Sequence, residues 1–362
     1  MPERNTMKKI QELQQVKGDA YDYYIAGNED TDLFEKIFLV DDIVEEICKP
    51  DKYFLIGEKG SGKTAYSVYM SKSDKINSFC SISLVENTLY QRFLNMKRQK
   101  ALELSSFKDV WINLIYLILA EKIRKEYGET FFSSIKYKQL SKAIDVFYSD
   151  AFKPEFVNAF EFVDNASASI NSMMKQGLFS TGTKASAETS QKYVEQSFQI
   201  SLLKIRDGFE KAFMSVNLKK PTILFVDGID ARPRDIDNEQ YFECLVGLVN
   251  AVLEMNQSFL KEKQIKIMLL IRPDIMYKMP VHNMNQKLRN NSVLLNWVTS
   301  YRKYIDSKLF KIADDYFMKQ QDYSYELGEC WNYYFPYKVE YQEKWKAPDN
   351  PFVEFLRYSL YK

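Results

Sequence analysis

Tyr53-Phe54-Leu55-Ile56 is a short apolar run that stops at Gly57, and a run of that length bounded by glycine predicts a buried strand. Before it, Phe34, Ile37, Phe38, Val44 and Ile47 recur among acidic residues at helical spacing, which predicts helix over Phe34 to Cys48. The stretch after Lys63 also reads as helix, and Phe79-Cys80-Ser81-Ile82-Ser83-Leu84 alternates as a second strand. Thr222-Ile223-Leu224-Phe225-Val226 is unbroken and apolar, as a central parallel strand is, because both of its faces are covered. Leu245, Leu248, Val249, Val252 and Met255 then follow at helical spacing, and Ile265 to Ile271 is a further buried strand. Strands separated by helices predict an α/β fold around a parallel sheet.

The flanks differ. Residues 1–33 are polar with a tyrosine cluster (Tyr21, Tyr23, Tyr24) and read as a leading arm with a short helix. From about 85 to 200 the sheet domain, 34–284, carries an insertion that is mainly helical, with Trp111, Leu114, Ile115, Ile118 and Leu119 on one core face. Within it, 165–192 is rich in Ser, Ala, Thr and Gly and reads as a loop or hairpin excursion. Residues 285–362 look helical and aromatic-rich (Trp297, Tyr301, Tyr304, Phe310, Phe317) and form a C-terminal unit in this reading.

Composition narrows the chemistry. The 362 residues are 46% hydrophobic and 27% charged, a globular mix that argues against disorder. Fifty basic and 49 acidic residues leave +1, so net charge gives no footprint for nucleic acid or an anionic membrane. Four scattered cysteines and no CxxC pair argue for reduced thiols rather than a disulfide framework or zinc cluster. The single histidine, His282, excludes a multi-histidine metal site and lies in a polar stretch that lacks a nucleophile elbow. The longest apolar run, Val110 to Ala120, is interrupted by Asn113 and falls short of the roughly 20 residues that cross a bilayer. With no apolar signal core at the N-terminus, a cytoplasmic protein without a membrane partner is expected.

Gly57-Glu58-Lys59-Gly60-Ser61-Gly62-Lys63-Thr64 fits G-x-x-x-x-G-K-[ST] at every fixed position, followed by Ala65. The pattern exists to wrap a polyphosphate: glycines let backbone N–H groups turn inward, the lysine reaches the β and γ phosphates, and the threonine hydroxyl ligates Mg²⁺. At average residue usage a chain this long has roughly a 1% chance of one accidental match, so the motif is specific. It also stands between a predicted strand and a predicted helix, where the positive end of the helix helps. ATP with Mg²⁺ is therefore the expected ligand; no Asn-Lys-x-Asp guanine-reading motif occurs. Asp227, at the end of the 222–226 strand, is the candidate Mg²⁺ carboxylate, although a capping aspartate after a strand is common. Asp230 is the candidate for polarising the attacking water, in competition with the position directly after Asp227, which is Gly228. Arg272, at the end of Ile265 to Ile271, is either a γ-phosphate sensor or an exposed arginine at a strand exit. Arg232 and Arg234 read as surface partners of Asp235 and Asp237 or as fingers acting in trans. The basic clusters Lys97-Arg98-Gln99-Lys100 and Lys122-Ile123-Arg124-Lys125 read as solvated helix faces.

These residues together resemble the bacterial P-loop ATPases grouped as the Sll1717-like family, relatives of the AAA+ and STAND (NACHT-like) signalling ATPases. The likeness rests on Phe34 to Ala65, on Asp227-Gly228-Ile229-Asp230, on Leu270-Ile271-Arg272-Pro273-Asp274, and on Leu288 to Trp297 with a tryptophan at the start of a helix. Glu58 departs from the basic residue common at that place. The resemblance implies an ASCE-type P-loop sheet, a sensor role for Arg272, nucleotide-controlled switching, and a C-terminal segment beyond Lys362. It further implies assembly with itself or an effector protein, and a setting in prokaryotic anti-phage defence. The expected activity is slow, Mg²⁺-dependent ATP hydrolysis by Lys63, Asp230 and Arg272. A nucleic-acid-dependent motor is the alternative and would need a basic channel; a small-molecule kinase would need a lid within the insertion and would leave the Asp-Gly-Ile-Asp and Arg-Pro pair unexplained.

Overall fold

The structure is a computed structural model that describes residues 7–16, 18–25, 28–85, 107–132, 137–150, 202–230, 238–279, 288, 290–297, 301–339 and 350–359. In chain order its helices are α1 (Ala20–Ile25), α2 (Asn28–Ile37), α3 (Asp42–Cys48), α4 (Lys63–Lys72), α5 (Phe107–Phe132), α6 (Lys138–Asp150), α7 (202–215), α8 (Asn238–Asn256), α9 (Pro273–Lys278), α10 (Lys308–Met318), α11 (Glu329–Tyr334) and α12 (Pro351–Ser359). The strands are β1 (Phe54–Gly57), β2 (Phe79–Leu84), β3 (Thr222–Asp227), β4 (Ile265–Ile271) and β5 (Ser292–Leu295). They form one parallel sheet in the order β2-β3-β4-β1-β5, flanked by helices. The α/β expectation holds. β4 lies between β1 and β3, in register Leu269 with Phe54 and Leu224 with Ile267.

The chain forms two compact units, each discontinuous in sequence: residues 46–59 with 75–294, and residues 1–45 with 60–74 and 295–362. The first holds the sheet. β1, β3 and β4 are buried along their whole length, which is why they read as continuous apolar runs rather than alternating ones. β4 nevertheless carries a lysine. Lys266 Nζ donates to the backbone carbonyls of Ile47 and Lys49 at the C-terminus of α3, groups that a helix end leaves without an internal partner. Burial brings its pKa down to about 8. Asn256, at the end of α8, pairs its side-chain amide with both the N–H and the C=O of Ile267, at 2.9 and 2.8 Å, and so fastens α8 to β4.

α5 packs across α8, and Trp111 Nε1–H donates to Cys244 O at 3.1 Å. The crossing depends on Gly247, where a Cβ would stand 2.6 Å from Phe107 Cβ and 3.0 Å from Lys108 N. Alanine favours helix by about 1 kcal/mol over glycine, yet here overpacking against backbone dominates. Gly247→Ala is expected to lower stability by about 1–3 kcal/mol in urea unfolding, against the propensity scale; an unchanged or raised midpoint would show that the helices can separate freely.

The sequence pattern misplaces two boundaries. The helix read over Phe34 to Cys48 is two helices with a break at 38–41, where Lys319 Nζ donates to Phe38 O and Lys308 Nζ to Asp41 Oδ2. The helical reading after 285 yields to β5 at Ser292–Leu295, an edge strand held beside β1 by Tyr53 N–H to Asn291 O at 2.7 Å. Trp297 follows that strand, and the helix read from it lies outside the described residues. The predicted loop 165–192, His282, Arg232, Arg234, Asp235 and Asp237 lie outside the described residues, as does the Lys97-Arg98-Gln99-Lys100 cluster. In the insertion, α5 and α6 are helical as predicted.

Candidate functional site

β1 ends on Gly57, and the chain turns through Glu58 and Lys59, both exposed, into Gly60-Ser61-Gly62. Gly60 has φ +80° and Gly62 φ +87°, the left-handed region that side chains avoid, so the two glycines let the chain reverse and enter α4 at Lys63. The loop leads into the N-terminus of α4, a helix of ten residues whose first backbone N–H groups carry its positive end. Lys63 is buried and Thr64 half-buried. Ser61 Oγ is buried and finds no hydrogen-bond partner among the described residues, an orphaned donor within the loop. The Ser61 carbonyl accepts from Trp297 Nε1–H at 2.8 Å, and a Cβ on Gly62 would come within 3.9 Å of that indole.

α4 is anchored by a polar network. Tyr66 O–H donates to Asp41 Oδ1 at 2.9 Å, and Lys308 Nζ joins Asp41 Oδ2 at 2.6 Å to Asp42 Oδ1 at 3.0 Å. Burial, then Asp41, pushes the Tyr66 phenol well above its ordinary pKa, and the hydrogen bond from Lys308 holds Asp42 below the usual carboxylate range. Beside Gly62, Ala65 and Tyr66 opens a cavity of about 770 Å³ walled by Phe34, Ile37, Phe38 and Phe317.

Asp227, Asp230 and Arg272 belong to the sheet-bearing unit, with Gly57–Lys59; Gly60–Ala65 belong to the other. Asp227 ends β3, is 7% exposed, and accepts from Gly228 N–H at 2.7 Å through Oδ1. Its carbonyl takes Val85 N–H at 2.8 Å, continuing the β2–β3 ladder. Gly228 has φ +83°, and a Cβ there would lie 3.1 Å from Val85 O. A side chain directly after Asp227 would be strained by that φ and tight against Val85 O, and Asp230 is the next carboxylate along the chain. The Asp-Gly-Ile-Asp turn is held from α8 by Tyr241 O–H, which donates to Ile229 O at 2.6 Å.

Asp230 and Arg272 are brought together. Arg272 leaves β4 as the cap residue of α9, and its guanidinium forks onto Asp274, Nε to Oδ1 at 2.9 Å and Nη2 to Oδ2 at 2.8 Å. The remaining Nη1 stands 4.0 Å from Asp230 Oδ2. Asp274 is the residue that sequence reasoning missed; its signal was its place two residues after Arg272 behind a proline, where a first-turn acid and an arginine fork coincide. Tyr241 carried no local signal, and Trp297 carried one only through the resemblance. The chain matches no protein-family model, no curated protein and no solved structure.

Proposed function

We propose that this chain binds a purine nucleoside triphosphate with Mg²⁺ on Gly57–Thr64 and hydrolyses it slowly, as a switch whose output passes to a second copy or an effector protein. The observation that carries the reading is the cradle itself: two left-handed glycines, a helix N-terminus, and a buried Ser61 hydroxyl without a partner, all within the one motif built to hold phosphate. The strand order supports it, because a strand lies between β1 and the strand that ends on Asp227, as in ASCE-type P-loop sheets.

In this reading Lys63 neutralises the β and γ phosphates, and the backbone N–H groups of Gly60–Lys63 take their oxygens. Thr64 and Asp227 are the residues that would hold Mg²⁺, which, when bound, draws off charge that develops as the phosphoanhydride breaks. Asp230 accepts the proton of the attacking water, and Arg272 offers charge to the transferred phosphoryl group.

The test is equilibrium binding and turnover of ATP by the purified chain beside Lys63→Ala. Lys63→Ala is expected to lower turnover by about 10²–10³-fold, the usual loss when one preorganised charge is removed from a transition state. A wild-type chain with no affinity for nucleotide, or a variant with unaltered turnover, would sink the proposal. Turnover that appears only with DNA or RNA would move it to a motor.

A further inference from the structure

The cavity next to the P-loop has a chemical character that the motif does not specify. Its volume, about 770 Å³, is within the range of small-ligand sites, and its wall runs directly from Gly62, Ala65 and Tyr66 into aromatic and aliphatic side chains. Among the described lining residues five side chains carry a polar atom: Gln15, Tyr66, Trp297, Tyr316 and Trp331. Four of them spend their donor within the protein. Tyr66 O–H donates to Asp41, Trp297 Nε1–H to Ser61 O, Tyr316 O–H to Gln14 O at 2.6 Å, and Trp331 Nε1–H to Asn350 Oδ1 at 3.1 Å. The fifth, Gln15, is exposed. The rings are also fixed in place: Phe38 stacks on Tyr69 with centroids 4.2 Å apart and meets Tyr66 edge-on at 5.1 Å.

Resting on the nucleotide reading of the P-loop, we propose that this cavity receives the nucleobase and recognises it by ring stacking and apolar contact alone, so that adenine, guanine and hypoxanthine triphosphates bind with similar affinity. Stacking accepts any base, because every base has a π face, and contributes about 1–3 kcal/mol per base. Discrimination between purines resides in the edge groups at positions 1, 2 and 6; four of the five side-chain donors on the described wall are already engaged, and the exposed Gln15 amide meets water in competition with any base edge. A site built to hydrogen-bond such a group rejects the analogue that lacks it by about 10⁴-fold, whereas an apolar pocket separates isosteres far less. Pyrimidines, with one ring to stack, bind more weakly.

Competition against a fluorescent ATP analogue tests this on the full chain, with ATP, GTP, ITP, CTP and inorganic tripolyphosphate, each with Mg²⁺. The expected result is ATP, GTP and ITP within about tenfold of one another, CTP weaker by about tenfold or more, and tripolyphosphate weaker than any purine nucleotide. Ile312→Glu, which sets a carboxylate in the cavity wall, is expected to weaken all three purine nucleotides by about tenfold or more and to leave tripolyphosphate unchanged. Phe355→Glu, at a ring on the same wall that is 58% exposed, gives the same reading without disturbing a buried position. A preference for one purine above tenfold, or nucleotide binding indifferent to both substitutions, would overturn this inference and leave the P-loop reading standing. Absence of all binding, tripolyphosphate included, would remove the P-loop reading and the inference with it.

Discussion

Asp230→Asn is expected to lower ATP turnover at saturating nucleotide by about 10²–10³-fold, with nucleotide affinity changed by less than about threefold. Loss of a positioned general base costs about 10²–10⁴ in rate, and asparagine preserves shape while removing the proton acceptor. The assignment turns on what the backbone permits. Gly228, the position immediately after Asp227, has a left-handed φ and lies against Val85 O, so a side chain there would be strained and tightly packed. Asp227 is buried and accepts the Gly228 N–H, which suits an ion ligand in a fixed orientation. Asp230 is about a third exposed, within reach of water, on a turn pinned by Tyr241.

Arg272 makes the prediction sharper. It stands between Asp230 and Asp274, and the Asp274 fork fixes the plane of its guanidinium. If Asp230 and Arg272 act as a pair, the double variant Asp230→Asn/Arg272→Ala loses less than the product of the single losses, because the second change removes a partner already disabled. Single-turnover kinetics on the four proteins decides it. Retention of more than about a third of wild-type turnover by Asp230→Asn would make the carboxylate a tether for Arg272 and nothing more. Multiplicative losses would separate the two roles.

The parts of this protein that were legible in its sequence are those where one local rule decides. A fully buried parallel strand carries no periodicity to misread, so Ile265–Ile271 lies where its apolar run places it, and Phe79–Leu84 lies where its alternation does. The motif at Gly57–Thr64 is legible because eight contiguous residues spell it, and Gly60 and Gly62 take left-handed φ values within it. Ser292–Leu295 escaped because a four-residue edge strand among aromatic residues has the apolar density of a helix face and only its ladder to β1 settles the matter. The helix break at 38–41 was hidden for a related reason: helical spacing continues on both sides, and the lysines that take up Phe38 O and Asp41 come from about 270 to 280 residues away. Lys266 shows the converse case, a charged residue in a central strand that local rules would reject and that the carbonyls ending α3 explain. In the site, Asp274 stands two residues from its partner Arg272 and so left a local signal, whereas Tyr241 reaches back twelve residues to Ile229 and the aromatic cavity is assembled from separated segments, which neither spacing nor composition announces.

The largest loss of stability is expected from Asp314→Ala, in the C-terminal segment. Gly328, the cap residue of α11, has φ +90° and no side chain to receive the N–H groups that a helix start leaves over. Asp314 supplies that service from α10: it is fully buried, and its two oxygens take Gly328 N–H at 2.7 Å and Trp331 N–H at 2.8 Å. Hydrogen bonds to a charged group contribute about 1.5–3 kcal/mol each, and alanine would leave the buried Gly328 N–H and the part-buried Trp331 N–H without this acceptor, so the cost is about 3–5 kcal/mol. Asn keeps one acceptor and turns an amide NH₂ toward the second N–H, and is expected to fall between alanine and wild type. Around this cap the rings of Phe310, Trp331 and Phe352 pack at 5.1–6.0 Å, and Trp331 stacks on Phe335 at 4.3 Å, so loosening α11 unseats the cluster. The pH dependence has a definite sign. Burial raises the Asp314 carboxyl above its ordinary 3.8 despite the two backbone donors, so its contribution to stability is greatest below 3.8 and diminishes as pH rises through the folded-state value. Acid sensitivity of this segment, followed by near-ultraviolet circular dichroism during urea unfolding, therefore does not originate at Asp314. A loss below about 1 kcal/mol for Asp314→Ala would mean that water reaches Gly328 and Trp331 and that α11 holds without its borrowed cap.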